Sequence, residues 1–118
     1  MEDPKLEFLR GTLDVLILKA LVWGPQHGYG IAGLIRRQSD DALLLEEGTL
    51  YPALWRLESK KLVVAEWGLS ENNRKAKFYR LTAAGRKQLV HETNRWRQMA
   101  RAIALVMGEK TLPDGGVR

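Results

Sequence analysis

The apolar positions change their period along the chain, and each change marks an element. Leu13, Val15, Leu16, Ile17, Leu18, Leu21 and Val22 crowd one short segment on nearly every helical face. Thr12 suits the N-cap of that helix, and Gly24-Pro25 ends it. A helix apolar almost all round is buried almost all round. A chain this small has one core to offer, so a second face calls for a partner subunit, with Leu13 and Leu16 at the interface. A second helix opens at His27-Gly28-Tyr29-Gly30 and runs to about Ser39, with Ile31, Leu34 and Ile35 inward. Leu43-Leu44-Leu45 reads as a short strand. A third helix begins near Gly48 or Thr49, its buried stripe being Leu50, Leu54 and Leu57 with Ala53 beside them. That start puts Pro52 in the first turn, where its missing N–H costs nothing. Glu46 and Glu47 complement the positive end of the helix dipole.

After Lys60 and Lys61 the period falls to two. The run Leu62 to Trp67 is β-branched and apolar, and Lys75 to Leu81 alternates, with Tyr79 and Leu81 on one side and Phe78 on the other. Ser70 to Arg74 between them is turn chemistry, because Asn tolerates the left-handed conformation. The two strands form an antiparallel hairpin. Thr82 caps a last helix that reaches about Met107. Along it Leu89, Thr93, Trp96, Ala100, Ile103 and Met107 recur in alternating steps of four and three. This heptad spacing is the mark of helix–helix pairing.

The 118 residues bound the chain to one domain with a long appendage: residues 1–81 as a body, 82–108 as a pairing helix and 109–118 as a frayed, disordered tail. The net charge of +5 favours a polyanionic partner. Met1–Arg10 lacks a leader pattern, and Leu13–Trp23 is too short and too charged to span a bilayer. With no cysteine in the chain, these features suit a cytoplasmic protein without a membrane partner. His27 and His91 stand far apart without acidic companions at ligand spacing, which argues against a metal site, a cofactor or an enzyme. Gly28, Gly30 and Gly33 follow no strand, so close backbone packing explains them better than a nucleotide loop.

The hairpin is basic. Between Glu71 and Arg80, Arg74, Lys75, Lys77 and Arg80 stand against the single acid Glu71. A helix sized for a major groove, running straight into a basic hairpin, is the arrangement of a winged-helix DNA-binding domain. The expected fold is therefore α+β and mostly α: a winged helix-turn-helix with a two- or three-stranded wing and a long C-terminal dimerisation helix. Thr49, Tyr51, Pro52 and Arg56 would read the major groove. Asn73, Arg74 and Lys75 would hold backbone or minor groove, helped by Lys60 and Lys61. Trp55 shares a side with Tyr51 and either packs on a neighbouring element or faces DNA. A rival reading keeps the fold and drops the DNA: a protein-interaction adaptor, for which the basic tip has no use.

The segments His27-Gly28-Tyr29-Gly30-Ile31, Gly48-Thr49-Leu50-Tyr51-Pro52-Ala53-Leu54, Arg56-Leu57-Glu58 and Tyr79-Arg80-Leu81-Thr82-Ala83-Ala84-Gly85 resemble the PadR family of bacterial transcription regulators. The resemblance covers about Leu9 to Met107. It implies a homodimer that represses transcription at a palindromic operator in double-stranded DNA, often in response to a small effector. One departure is Lys61-Leu62, where the family commonly carries a glycine before the strand. Drug-sensing relatives use a tryptophan on the last helix to stack planar ligands, which makes Trp96 the effector candidate. Plain packing across the dimer axis is the preferred role for Trp96, because Arg95 and Arg97 beside it disfavour cationic drugs.

Overall fold

The computed structural model describes residues 4–108, with side chains from residue 11 onward. The expected tail at 109–118 lies outside the described residues. Helix α1 spans Pro4–Ala20, strand β1 Gln26–His27, helix α2 Gly28–Gln38 and helix α3 Glu47–Ser59. Strands β2, Val63–Leu69, and β3, Lys75–Leu81, form the hairpin, and helix α4 covers Ala83–Met107. The sheet is antiparallel in the order β1-β3-β2, with Val63 opposite Leu81, Leu69 opposite Lys75 and Gln26 opposite Tyr79.

Three expectations are corrected. Helix α1 starts at Pro4, so Thr12 lies inside it rather than capping it. Proline at a first helical position gives up only an N–H with no helical acceptor, so the helix can start before its apolar run does. The third strand is Gln26–His27, not Leu43-Leu44-Leu45, so a strand of two residues does precede Gly28, Gly30 and Gly33, contrary to expectation. Leu43 and Leu44 are exposed in a loop, and Leu45 packs partly on the core. The remaining correction concerns α3, where the N–H groups of Thr49 and Leu50 both bond to the Glu46 carbonyl at 2.9 Å. That closes the first turn around Glu46 and moves Pro52 to the second turn. The acceptor its ring cannot serve is the Gly48 carbonyl.

One core holds these elements. Ile17, Leu18 and Leu21 from α1 meet Ile31 from α2, Leu50, Leu54 and Leu57 from α3, and Val63, Tyr79 and Leu81 from the sheet. Helix α1 touches α2, α3 and α4. Its many apolar faces are thus largely covered within the chain. Leu13 is only 7% exposed in this same core, and Leu16 is half-buried against it. Neither leaves the broad free face that the sequence suggested for a partner.

Thr82 joins the parts. Its hydroxyl accepts from Gly85 N–H at 2.9 Å, capping α4, and shares its one proton between the Lys61 carbonyl at 2.8 Å and the Leu62 carbonyl at 3.1 Å. The exit of α3 and the entry of α4 are therefore tied at one side chain. Gly85 sits so close that a Cβ there would collide with the Leu62 carbonyl oxygen. Lys61, before the strand, takes φ +63°, the left-handed region that glycine occupies freely.

Candidate nucleic-acid interface

Burying Leu50, Ala53, Leu54 and Leu57 fixes which side of α3 faces out. Thr49 and Pro52 are exposed there, with Tyr51 at 44% and Trp55 at 69%. Trp55 therefore does not pack into the body. Arg56 departs from its expected role. Its Nη2 donates to Asp14 Oδ1 at 2.9 Å, and both side chains are mostly covered, so it pins α3 to α1 instead of facing a groove. Burial raises the Asp14 carboxyl above its ordinary value of 3.8, while the charge and hydrogen bond of Arg56 pull it back down. Lys60 and Lys61 are exposed just past the end of α3.

The hairpin tip is built by its own backbone. Ser70 N–H donates to the Arg74 carbonyl and Asn73 N–H to the Ser70 carbonyl, both at 2.8 Å. Asn73 takes φ +61°, the conformation asparagine tolerates. Asn73, Arg74 and Lys75 are all exposed. The Lys75 ammonium lies 5.6 Å from the Trp67 ring centroid, a cation–π approach that pre-orders the lysine on the strand. Lys77 is turned inward, 3.4 Å from Glu58 Oε1, which ties wing to helix.

Between α3 and the wing lies an open groove of about 670 Å³, whose lining includes Tyr29, Tyr51, Trp67, Arg74 and Lys75. His27 forms its inner edge. It is 8% exposed and serves as N-cap of α2, its Nδ1 accepting from Gly30 N–H at 2.9 Å. Its Nε2 points to Glu71 Oε1 at 3.5 Å, and its ring meets the Phe78 ring edge-on. Glu71 is held below the ordinary carboxylate value by its own backbone N–H first and then by His27. The Tyr79 hydroxyl is raised by burial, then by the Glu58 carboxylate and Tyr51. A Cβ on Gly28 would strike the Tyr51 ring, and one on Gly30 the Gln26 side chain, so both glycines mark close packing.

Sequence reasoning passed over Tyr29, 83% exposed, and Trp67, 64% exposed. The signals were there. Tyr29 lies between two glycines at a helix start, and Trp67 falls opposite Lys77 on the wing.

On α4, Leu89 packs on the chain's own core and Thr93 is half-buried. Ala100 is half-buried, whereas Trp96, Ile103 and Met107 are 40%, 45% and 71% exposed. Trp96 borders a shallow hollow of about 230 Å³ between α1 and α4, alongside Gly11, Val15, Arg95 and Met99.

Three helices closed by a hairpin define a winged-helix domain, here continued by a long C-terminal helix. Residues 17–91 match the model of the transcriptional regulator PadR-like family. A transcriptional regulator of Mycobacterium tuberculosis is 33% identical over 97 residues, 82% of this chain and 87% of that one. A transcriptional regulator structure from Clostridium thermocellum superposes with a TM-score of 0.74 at 31% identity, over 82% of this chain and 94% of that one. A PadR family transcription regulator from Clostridium difficile gives 0.69 at 31% identity, covering 80% and 97%. The chain belongs to the PadR-like family of transcriptional regulators, a family of regulators rather than enzymes. No helix among the described residues is long and apolar enough to cross a membrane.

Proposed function

We propose that the protein is a repressor that binds a palindromic operator in double-stranded DNA as a twofold homodimer. The observation that carries this reading is the open groove between α3 and the wing. Tyr51 of α3 lines one side of it and Arg74 and Lys75 of the wing line the other, while Thr49 and Pro52 on α3 and Asn73 on the wing are exposed on the same two elements. Helix side chains would read bases while wing side chains hold the backbone, with Lys60 and Lys61 beside them. Arg56 has no part in this, because it is engaged by Asp14.

The dimer would form through the apolar C-terminal half of α4, where Trp96, Ile103 and Met107 are exposed, with Ala100 between them. In that arrangement Trp96 packs against its symmetry mate. A planar effector stacked there is the second reading, favoured by the hollow beside Trp96.

Selection of bound duplexes from a random library tests the whole. Two inverted half-sites about 10 bp apart, or a multiple of that, are expected. Enrichment of single, non-palindromic sites would sink the twofold arrangement. Failure to retard any duplex at low salt would favour an adaptor instead. Titration with planar dyes, with Trp96→Phe as the control, separates packing from effector binding.

A further inference from the structure

The outward surface of α3 has an unusual chemistry for a base-reading helix. Its two charged residues beyond the first turn are consumed within the chain, Arg56 by Asp14 at 2.9 Å and Glu58 by Lys77 at 3.4 Å. Arginine and lysine bound to guanine are the commonest specific contacts in a major groove, and asparagine and glutamine read adenine. From Glu47 to Ser59 no lysine, asparagine or glutamine occurs, and the one arginine is engaged. What stands exposed after Glu47 and Gly48 is Thr49, Tyr51, Pro52, Trp55 and Ser59. Trp55 is the largest apolar surface among them and lies nearly opposite the buried stripe, so it occupies the centre of the outward face. A helical side chain leans toward the N-terminus, which carries the Trp55 ring over the turn of Tyr51 and Pro52. No other described side chain shields it enough to lower its exposure below 69%.

The one apolar group that a base presents in the major groove is the thymine 5-methyl. We propose that Trp55 is a specificity-determining residue that reads thymine methyl groups, so that each half-site carries a thymine under the indole. The proposal rests on the reading of α3 as the recognition helix and sharpens it. It assigns a base preference to an indole that a structural role in the body does not explain.

The test uses the full-length protein and the operator selected by it. Each thymine is replaced in turn by deoxyuridine, which deletes the methyl and leaves every hydrogen-bonding atom in place. Affinities of the wild type and of Trp55→Ala are measured by fluorescence anisotropy at one salt concentration. For the wild type, one or two positions per half-site should weaken binding by roughly fourfold, the worth of one methyl buried from water. For Trp55→Ala the thymine and uracil operators should bind alike, both at or below the wild-type affinity for uracil. A uracil penalty that persists in Trp55→Ala would assign the methyl contact to Tyr51 or Pro52 and overturn the proposal. Absence of any uracil penalty in the wild type would overturn it too, while leaving DNA binding intact. If the wild type binds no duplex, the DNA reading fails and Trp55 with it. Trp55→Phe, which keeps an apolar ring, should retain part of the penalty. Circular dichroism of both variants should match the wild type, since the site is exposed.

Discussion

Two side chains repay attention singly. Arg56 and Asp14 form a mostly covered pair across the α1–α3 contact. Arg56→Ala should cost about 1–3 kcal/mol of stability at neutral pH, because it leaves a part-buried carboxylate without its partner. Asp14 has a folded-state pKa above its ordinary 3.8. Its contribution to stability is therefore fully present below that value and lost as pH rises through the folded-state value. Without the Arg56 guanidinium the carboxyl rises further, so the penalty of Arg56→Ala should shrink as pH falls toward 4. Urea unfolding of both proteins at the two pH values measures this. A penalty that grows toward acid would mean that the pair is not the cause. Lys61 is the other case, a lysine at φ +63°. Lys61→Gly should raise stability by up to about 1 kcal/mol, the left-handed penalty less the added chain entropy of glycine. Thermal unfolding checks it, and an unchanged or lower midpoint would show that the lysine stem contributes more than the backbone strain costs.

Among the elements, the wing and the α3–α4 joint make separate predictions. Arg74 stands exposed at the tip of the hairpin. Arg74→Ala should weaken binding to all duplexes about equally and flatten the salt dependence by about one unit in log–log slope. An untouched slope would remove Arg74 from the phosphate contacts. Gly85→Ala should destabilise despite the better helix propensity of alanine, because the new Cβ would meet the Leu62 carbonyl oxygen. A net loss of about 1–3 kcal/mol is expected, read from chemical denaturation. The elements differ in how plainly the sequence announces them. The stripe of Leu50, Leu54 and Leu57, the alternation of Lys75 to Leu81 and the Thr82 cap are local signals, and local signals survive into the fold. Strand β1 has two residues, too few for any period, and exists because Gln26 and His27 find Tyr79 and Phe78 across the sheet. Leu43 to Leu45 looked like a strand because apolar runs usually pair, yet the sheet offers them no partner. The outward residues of α3 and the tip of the wing could be picked from pattern. The inward turn of Arg56 could not, since its partner lies 42 positions away.

At the scale of the molecule, α4 leaves an apolar end uncovered: Ile103, Leu105, Val106 and Met107 are all exposed. Ile103→Arg should yield monomers, with operator affinity largely lost, because a charge would face apolar surface without a partner. Sedimentation showing an intact dimer would rule out this seam. Circular dichroism would separate a folded monomer from an unfolded chain. The 25 residues of α4 make a rod of about 37 Å. Its root is clamped to the exit of α3 by Thr82. In a dimer joined at the far end, such a rod has mechanical advantage. A pivot of about 10° at the seam would swing the root by about 6 Å, close to two base-pair steps of 3.4 Å. Half-site spacing is then geared to the angle between two α4 helices, and a change too small to disturb either winged domain could carry both out of register with the duplex.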